Sequence, residues 1–250
     1  TITKVSDRLI SISKSVSDEV EMWINQNNIE MPKVQEYNYF HLGADVENSM
    51  PTKGLLDNAN EVLDNLKNSH TFLMVGTIEP RKGHMQTLQA FDELWSDNID
   101  VTLVIVGKEG WMMEEFIAKV RNHLELNKRL FWLEGISDEY LEKVYAVSTC
   151  LIASSEGEGF GLPLIEAAQH KLPIIARDIP VFREVAGEFA YYFKNDKNSD
   201  ILAKAVSHWL ELYENKKHPK SDKMPWLTWE KSTEQLLQCL FINNDGSNSK

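Results

Sequence analysis

The sequence predicts a doubly wound α/β domain built on a parallel sheet, and three observations predict it. From Ser69 onward, short apolar runs alternate with amphipathic segments. Runs such as Val101–Val106 (VTLVIV) carry no polar alternation, as strands buried on both faces of a parallel sheet do. A glycine-rich loop (Gly157, Gly159, Gly161) then joins one such run to a helix opened by Pro163, whose missing N–H has no partner to lose at a helix start. In this architecture a ligand binds beyond the carboxyl ends of the strands.

Taken in order, Asp7–Ser13 alternates and reads as a strand, and Ser15 or Ser17 caps a helix running to about Asn27. Tyr37–Asp45 is extended and carries His41-Leu-Gly-Ala-Asp45; a single histidine at a strand end reads as structural. Pro51–Gly54 forms a loop and Leu55–Leu66 a helix. The strands that follow are His70–Val75, Val101–Val106, Arg129–Leu133, Cys150–Ala153, Pro173–Ala176 and Ala190–Phe193. The helices between and after them are Gly83–Leu94, Met112–Leu124, Asp138–Val147, Leu164–Gln169, Val181–Val185 and Ile201–Tyr213. Trp226–Phe241 places Trp226, Trp229, Leu236, Leu237 and Leu240 at helical spacing. There is no internal repeat. The divisions expected are 1–68, 69–225 (the α/β domain), a terminal helix 226–242 and a polar, disordered tail 243–250.

The net charge of −12 over 250 residues argues against a general nucleic-acid or anionic-membrane surface, while local cations and helix ends can still take an anionic ligand. Two distant cysteines, Cys150 and Cys239, fit a reducing, cytoplasmic compartment rather than a disulfide framework. No apolar run is long enough to span a bilayer, so attachment at the inner face of a membrane would come through another part of a parent protein. The start at Thr1 without an initiator methionine fits a piece of such a longer chain.

Chemistry concentrates at Leu151–Ala168 (LIASSEGEGFGLPLIEAA). The helix start favours an anion, and the carboxylates Glu158 and Glu166 bracket it, seven residues intervening. Both can face one pocket, which suits a ligand bearing phosphates and hydroxyls, as a sugar nucleotide does. A dinucleotide fingerprint fails because Leu162 stands where the third glycine is required. Glycoside hydrolysis uses a carboxylate pair but has no use for an adjoining phosphate-type loop. A second cluster closes the first strand of the domain: Gly76, then Arg81-Lys82-Gly83 before a helix, with Arg81 able to fork onto a diphosphate and Lys82 to act as a point charge.

The run Glu158-Gly-Phe-Gly-Leu-Pro-Leu-Ile-Glu166-Ala167 resembles the E-x7-E signature of retaining GT-B glycosyltransferases, in particular glycosyltransferase family 4. Arg81-Lys82-Gly83 is similar to that family's basic element, although here the arginine is directly adjacent to the lysine instead of a few residues ahead. HLGAD resembles its interdomain linker. The resemblance implies a Rossmann-like C-terminal, donor-binding domain, with 1–68 the end of an N-terminal domain plus linker and 226–242 a crossover helix. It implies that Glu158 meets hydroxyls of the donor sugar together with the backbone of Gly159, Phe160 and Gly161. Leu162 would line the pocket, Glu166 hold the ribose, Arg81 and Lys82 the diphosphate near Gly76, and Gly135, Ile136 and Ser137 border the base. Gly107–Trp111 shapes the nucleotide pocket, where Trp111 either stacks or packs. The combination of HLGAD, VGKEGW and EGFGLPLIEA looks most like bacterial surface-polysaccharide mannosyltransferases using GDP-mannose, with UDP-glucose the rival donor and a glycan or lipid-linked glycan the acceptor. No D-x-D motif occurs, so no metal or other cofactor is expected. A nucleotide-sugar binding module without activity of its own is the alternative from another class.

Overall fold

The computed structural model describes residues 6–29, 36–45 and 50–241. The tail expected at 243–250 lies outside them. The chain divides into two compact units, one formed by 1–47 and 225–250, the other by 48–224.

The first unit opens with β1 (Arg8–Ser11), α1 (Lys14–Gln26) and β2 (Glu36–Tyr39). β1 and β2 pair in parallel, Arg8 opposite Glu36 and Ser11 opposite Tyr39. The cap of α1 is Ser13, whose side chain accepts from the Val16 N–H, and not Ser15 or Ser17. Those two serines fall inside the helix, because extended backbone ends at Ser13 and a cap must itself be extended. The unit is completed by α9 (Trp229–Phe241), which begins three residues later than Trp226. The HLGAD segment fastens it: the Asp45 carboxylate accepts from Trp229 N, Ala44 N donates to Leu227 O (2.9 Å) and Ser232 Oγ donates to His41 O (2.7 Å). His41 thus serves here through its backbone. Met22, Trp23, Trp229, Leu240 and Phe241 are exposed on this unit.

The second unit contains α2 (Ala59–Lys67), β3 (His70–Val75), α3 (His84–Ser96), β4 (Val101–Val106), α4 (Glu114–Arg121), β5 (Leu130–Leu133), α5 (Asp138–Val147), β6 (Cys150–Ala153), α6 (Leu162–Gln169), β7 (Ile174–Arg177), α7 (Pro180–Ala186), β8 (Tyr191–Phe193) and α8 (Ser199–Glu214). The alternation expected from the sequence holds; α2 and α4 are shorter than expected, α5 is as expected, and α3, α6, α7 and α8 run longer. α2 starts four residues after Leu55, because Thr52 and Gly54 are tied to the start of α5 instead (Thr52 N to Asp138 Oδ2, 2.8 Å; Gly54 N to Glu139 Oε2, 3.0 Å). α4 starts after Met112, which takes a left-handed conformation (φ 53°). Residues 48–68, grouped by sequence with the N-terminal segment, pack with this unit.

Six strands form one sheet in the order β5-β4-β3-β6-β7-β8, every pair parallel. β4 is buried throughout its length, as its unbroken apolar run requires. Phe72, Phe91 and Trp209 meet edge to face, at 5.6 Å between rings, where α3 and α8 cover one sheet face. The chain starts at the middle of the sheet with β3, moves outward to β5, then returns to β6 on the other side of β3. That reversal opens a crevice at the carboxyl ends of β3 and β6, where open α/β sheets bind ligands.

Candidate active site

Both clusters picked out by sequence converge on this crevice. β3 runs into Gly76 and a single 3-10 turn, Pro80–Lys82, and β6 runs into Ser154, Ser155 and the glycine loop. The two loops are joined through their backbones, Glu156 N donating to Arg81 O at 2.7 Å. Gly83 makes the close approach possible: its φ is 74°, and a Cβ there would stand 2.4 Å from Ser154 O. The cleft is lined by Lys82, His84, Ser154, Ser155, Glu158 and Gly161 among others.

Glu158 is the electrostatic centre. Its Oε1 accepts from Lys82 Nζ at 2.5 Å and from Ser155 Oγ at 2.8 Å, and its Oε2 from Arg81 Nη1 at 2.7 Å. Arg81 also contacts Glu79 (3.1 Å) and Gly157 O (3.1 Å). Burial alone would raise the Glu158 carboxyl, but Lys82, Ser155 and Arg81 together outweigh it and hold the group below the usual carboxylate range. Arg81 is shifted up, its own partial burial being overcome by Glu158 and Glu79. Lys82 reaches Glu158 by lying over Gly76, where a Cβ would be 3.6 Å from its Nζ.

α6 begins beside this cluster at Gly161, which has φ 99° and supplies no side-chain cap; Pro163 has no N–H to satisfy and Leu164 N donates to Gly161 O at 3.0 Å. Leu162 is its first residue and Pro163 its second. Phe160 is buried beneath the loop and Gly159 is half-buried. Glu158 lines the cleft, whereas Glu166, a turn further on, is not among its lining residues. Glu166 accepts from Tyr145 Oη on α5 at 2.7 Å, and burial pushes its carboxyl up against the opposing pull of that hydrogen bond. Gly135 (φ 65°) is exposed at the end of β5, and Ile136 and Ser137 lead into α5. The Ser137 hydroxyl caps α5 and donates to Gly54 O at 2.5 Å, so it has protein partners already. Trp111 is 59 % exposed, which removes the buried-core reading of it. Among the described residues no group of three or more His, Cys, Asp or Glu is placed to hold a metal, and no helix is long and apolar enough to cross a membrane.

Sequence reading missed the supports. Arg177, at the end of β7, is fully buried; its Nε donates to Ser154 O (3.0 Å), and its Nη atoms to Asp196 O and Gln86 Oε1. It fixes the carbonyl from which the glycine loop departs. An arginine ending an apolar strand was the available signal. His84 follows Gly83 directly and lines the cleft; burial pushes it down to about 4, the Glu79 carbonyl opposing and Lys82 assisting, so the ring is neutral.

A family model, Glycosyl transferases group 1, matches residues 57–223. The chain belongs to this family. A serotype-specific mannosyltransferase of Escherichia coli, WbdA, is 53% identical over 239 residues, covering 95% of this chain and 29% of the relative. The chain therefore spans less than a third of that relative's length. Among solved structures, sucrose-phosphate synthase from Thermosynechococcus elongatus superposes with a TM-score of 0.72 at 18% identity, over 96% of this chain and 59% of that one. HepE from Anabaena, in complex with UDP and glucose, gives 0.71 at 15% identity, over 96% and 64%. These likenesses show the fold, that of the GT-B glycosyltransferase domains, as the group 1 sequence pattern implies.

Proposed function

We propose that this group 1 chain is the donor-binding half of a retaining mannosyltransferase that moves mannose from GDP-mannose to a glycan or lipid-linked glycan in O-antigen synthesis. The observation that carries the reading is the meeting of Lys82, Arg81 and Glu158 beside the uncapped start of α6, at the reversal point of the sheet. The choice of mannose rests on the relative at 53% identity, named a mannosyltransferase.

In this reading the donor's diphosphate lies against Arg81, Lys82 and the α6 N-terminus, the hexose against Glu158 and the backbone of Gly159–Gly161, the ribose at Glu166, and the base at Gly135–Ser137. Transfer breaks the bond from the anomeric carbon to the diphosphate oxygen, which leaves with the bonding pair. A bond forms to an acceptor hydroxyl oxygen, whose proton is released. The two cations and the helix dipole stabilise the negative charge growing on the departing oxygen. That set of groups asks for no metal. The segment 1–47 is the end of a preceding domain with its linker, and α9 is the helix that crosses back to that domain. A cleft needs both walls to position two substrates and exclude water. The 250-residue chain alone therefore binds donor and transfers little, and the parent protein works in the cytoplasm at the inner membrane face.

Calorimetric titration with GDP, GDP-mannose, UDP and UDP-glucose, with Lys82→Ala and Glu166→Ala in parallel, tests this. Guanine nucleotides binding, and both variants weakening them, is the expected result. Preference for uridine nucleotides would overturn the donor, and appreciable transfer by this chain alone would overturn the division of labour.

A further inference from the structure

In this structure the cleft is already electrically satisfied. Its polar cluster holds two cations, Arg81 and Lys82, and two carboxylates, Glu79 and Glu158, in mutual contact. A diphosphate entering a cluster of zero net charge gains little attraction unless one carboxylate withdraws. Glu158 is the one able to do so. Both of its oxygens are spent on the cations and Ser155, and it sits between Gly157 and Gly159, the most permissive backbone of the loop. Glu79, on the far side of Arg81, keeps that guanidinium oriented when Glu158 leaves.

We propose that Glu158 exchanges partners during the cycle and thereby sets specificity for the intact donor over the spent one. In this structure its carboxylate occupies the two cations that the proposal assigns to the diphosphate. When a nucleotide sugar binds, the carboxylate gives up Lys82 and Arg81 to the phosphates and accepts hydrogen bonds from the hexose hydroxyls instead. Once the sugar has gone, a nucleoside diphosphate offers no hydroxyl in that place and carries one more negative charge. Glu158 then returns to its cations and the product is displaced. This rests on the donor-site reading above.

The side chains set the terms of the exchange. Lys82 is only 15 % exposed, so its ammonium has little room to serve a carboxylate and a phosphate on the same side. Ser155 stays with Glu158 in either position only if the carboxylate turns about it, which makes the serine a pivot. A neutral glutamine at 158 keeps the shape and a hydrogen-bonding oxygen but no longer competes for the cations.

Calorimetry on this chain, with inorganic pyrophosphate, GDP and GDP-mannose as probes, tests the proposal. Glu158→Gln is expected to bind pyrophosphate and GDP about five- to tenfold more tightly than the unaltered chain. GDP-mannose should gain less or lose affinity, so the donor-to-product ratio falls. Glu158→Ala, checked by circular dichroism, should repeat the gain for pyrophosphate if the glutamine variant folds poorly. Unchanged or weaker pyrophosphate and GDP binding in both variants overturns the exchange, and so does an absence of binding by every form. If pyrophosphate tightens in Glu158→Gln and is lost in Lys82→Ala, but neither GDP nor GDP-mannose outcompetes it, the charge exchange stands and the donor reading falls.

Discussion

The two glutamates of one loop-and-helix segment live in opposite electrostatic worlds. Glu158 is surrounded by an ammonium, a guanidinium and a hydroxyl, all directed at its oxygens. Glu166 meets a phenol, Tyr145, and forms no ion pair among the described residues; the nearby His170 ring stacks on Tyr145 at 4.9 Å and turns its Nε2 to Glu142. Burial drives both carboxyls upward, yet only Glu158 has enough cationic company to end below the usual range. Equal-looking residues in a motif therefore do different work. One is a fixed charge that competes for cations, and the other is a hydrogen-bonding group whose charge is costly.

The largest break in this comparison lies beneath the Glu158 side. Arg177→Met leaves the carbonyls of Ser154 and Asp196 and the Gln86 amide oxygen without their buried donor, and the glycine loop loses its anchor. Urea unfolding is expected to show a loss of about 3–5 kcal/mol. Lys82→Ala comes next. It removes one of the two cations that the proposed donor site sets against the departing diphosphate, and transfer by the parent enzyme should fall about 10²–10³-fold in kcat. A fall confined to KM would show that Lys82 binds ground state and transition state alike.

The sheet was legible because parallel strands must be apolar on both faces, so β3, β4 and β6 announce themselves as unbroken runs. The cleft was legible because the phosphate-type loop and the Arg81-Lys82-Gly83 turn both close strands, and the strand order brings those ends together. What stayed hidden depends on tertiary partners. Nothing near Glu166 in the chain points to Tyr145, twenty-one residues earlier. Nothing around Arg177 shows that its acceptors are a carbonyl on β6's exit, one after β8 and a glutamine on α3. Helix starts were misjudged where a loop found a better partner, as Thr52 did at Asp138.

Smaller effects sharpen the contrast. Tyr145→Phe deletes the phenol's hydrogen bond to the Glu166 carboxylate and should cost about 1 kcal/mol in unfolding experiments. It should also raise the Glu166 carboxyl further, since that bond is the larger of the two influences, with His170, that oppose the effect of burial. The two glutamates then predict opposite contributions to the acid stability curve. Glu158 is depressed in the folded state, so its stabilisation is complete above the unfolded carboxyl value and is lost as pH falls through the lower, folded one. Glu166 is raised, so its ionisation opposes folding at neutral pH, and that penalty is relieved as pH falls through its folded value. Thermal melts of the unaltered chain, Glu158→Gln and Glu166→Gln between pH 7 and pH 3 separate the two. The advantage of the unaltered chain over Glu158→Gln should shrink toward acid pH. Relative to Glu166→Gln, the unaltered chain should instead gain as the solution is acidified. Parallel curves for the two variants would mean that Tyr145 compensates Glu166 as fully as Lys82 and Arg81 compensate Glu158, and the contrast between the two ends of the segment would be gone.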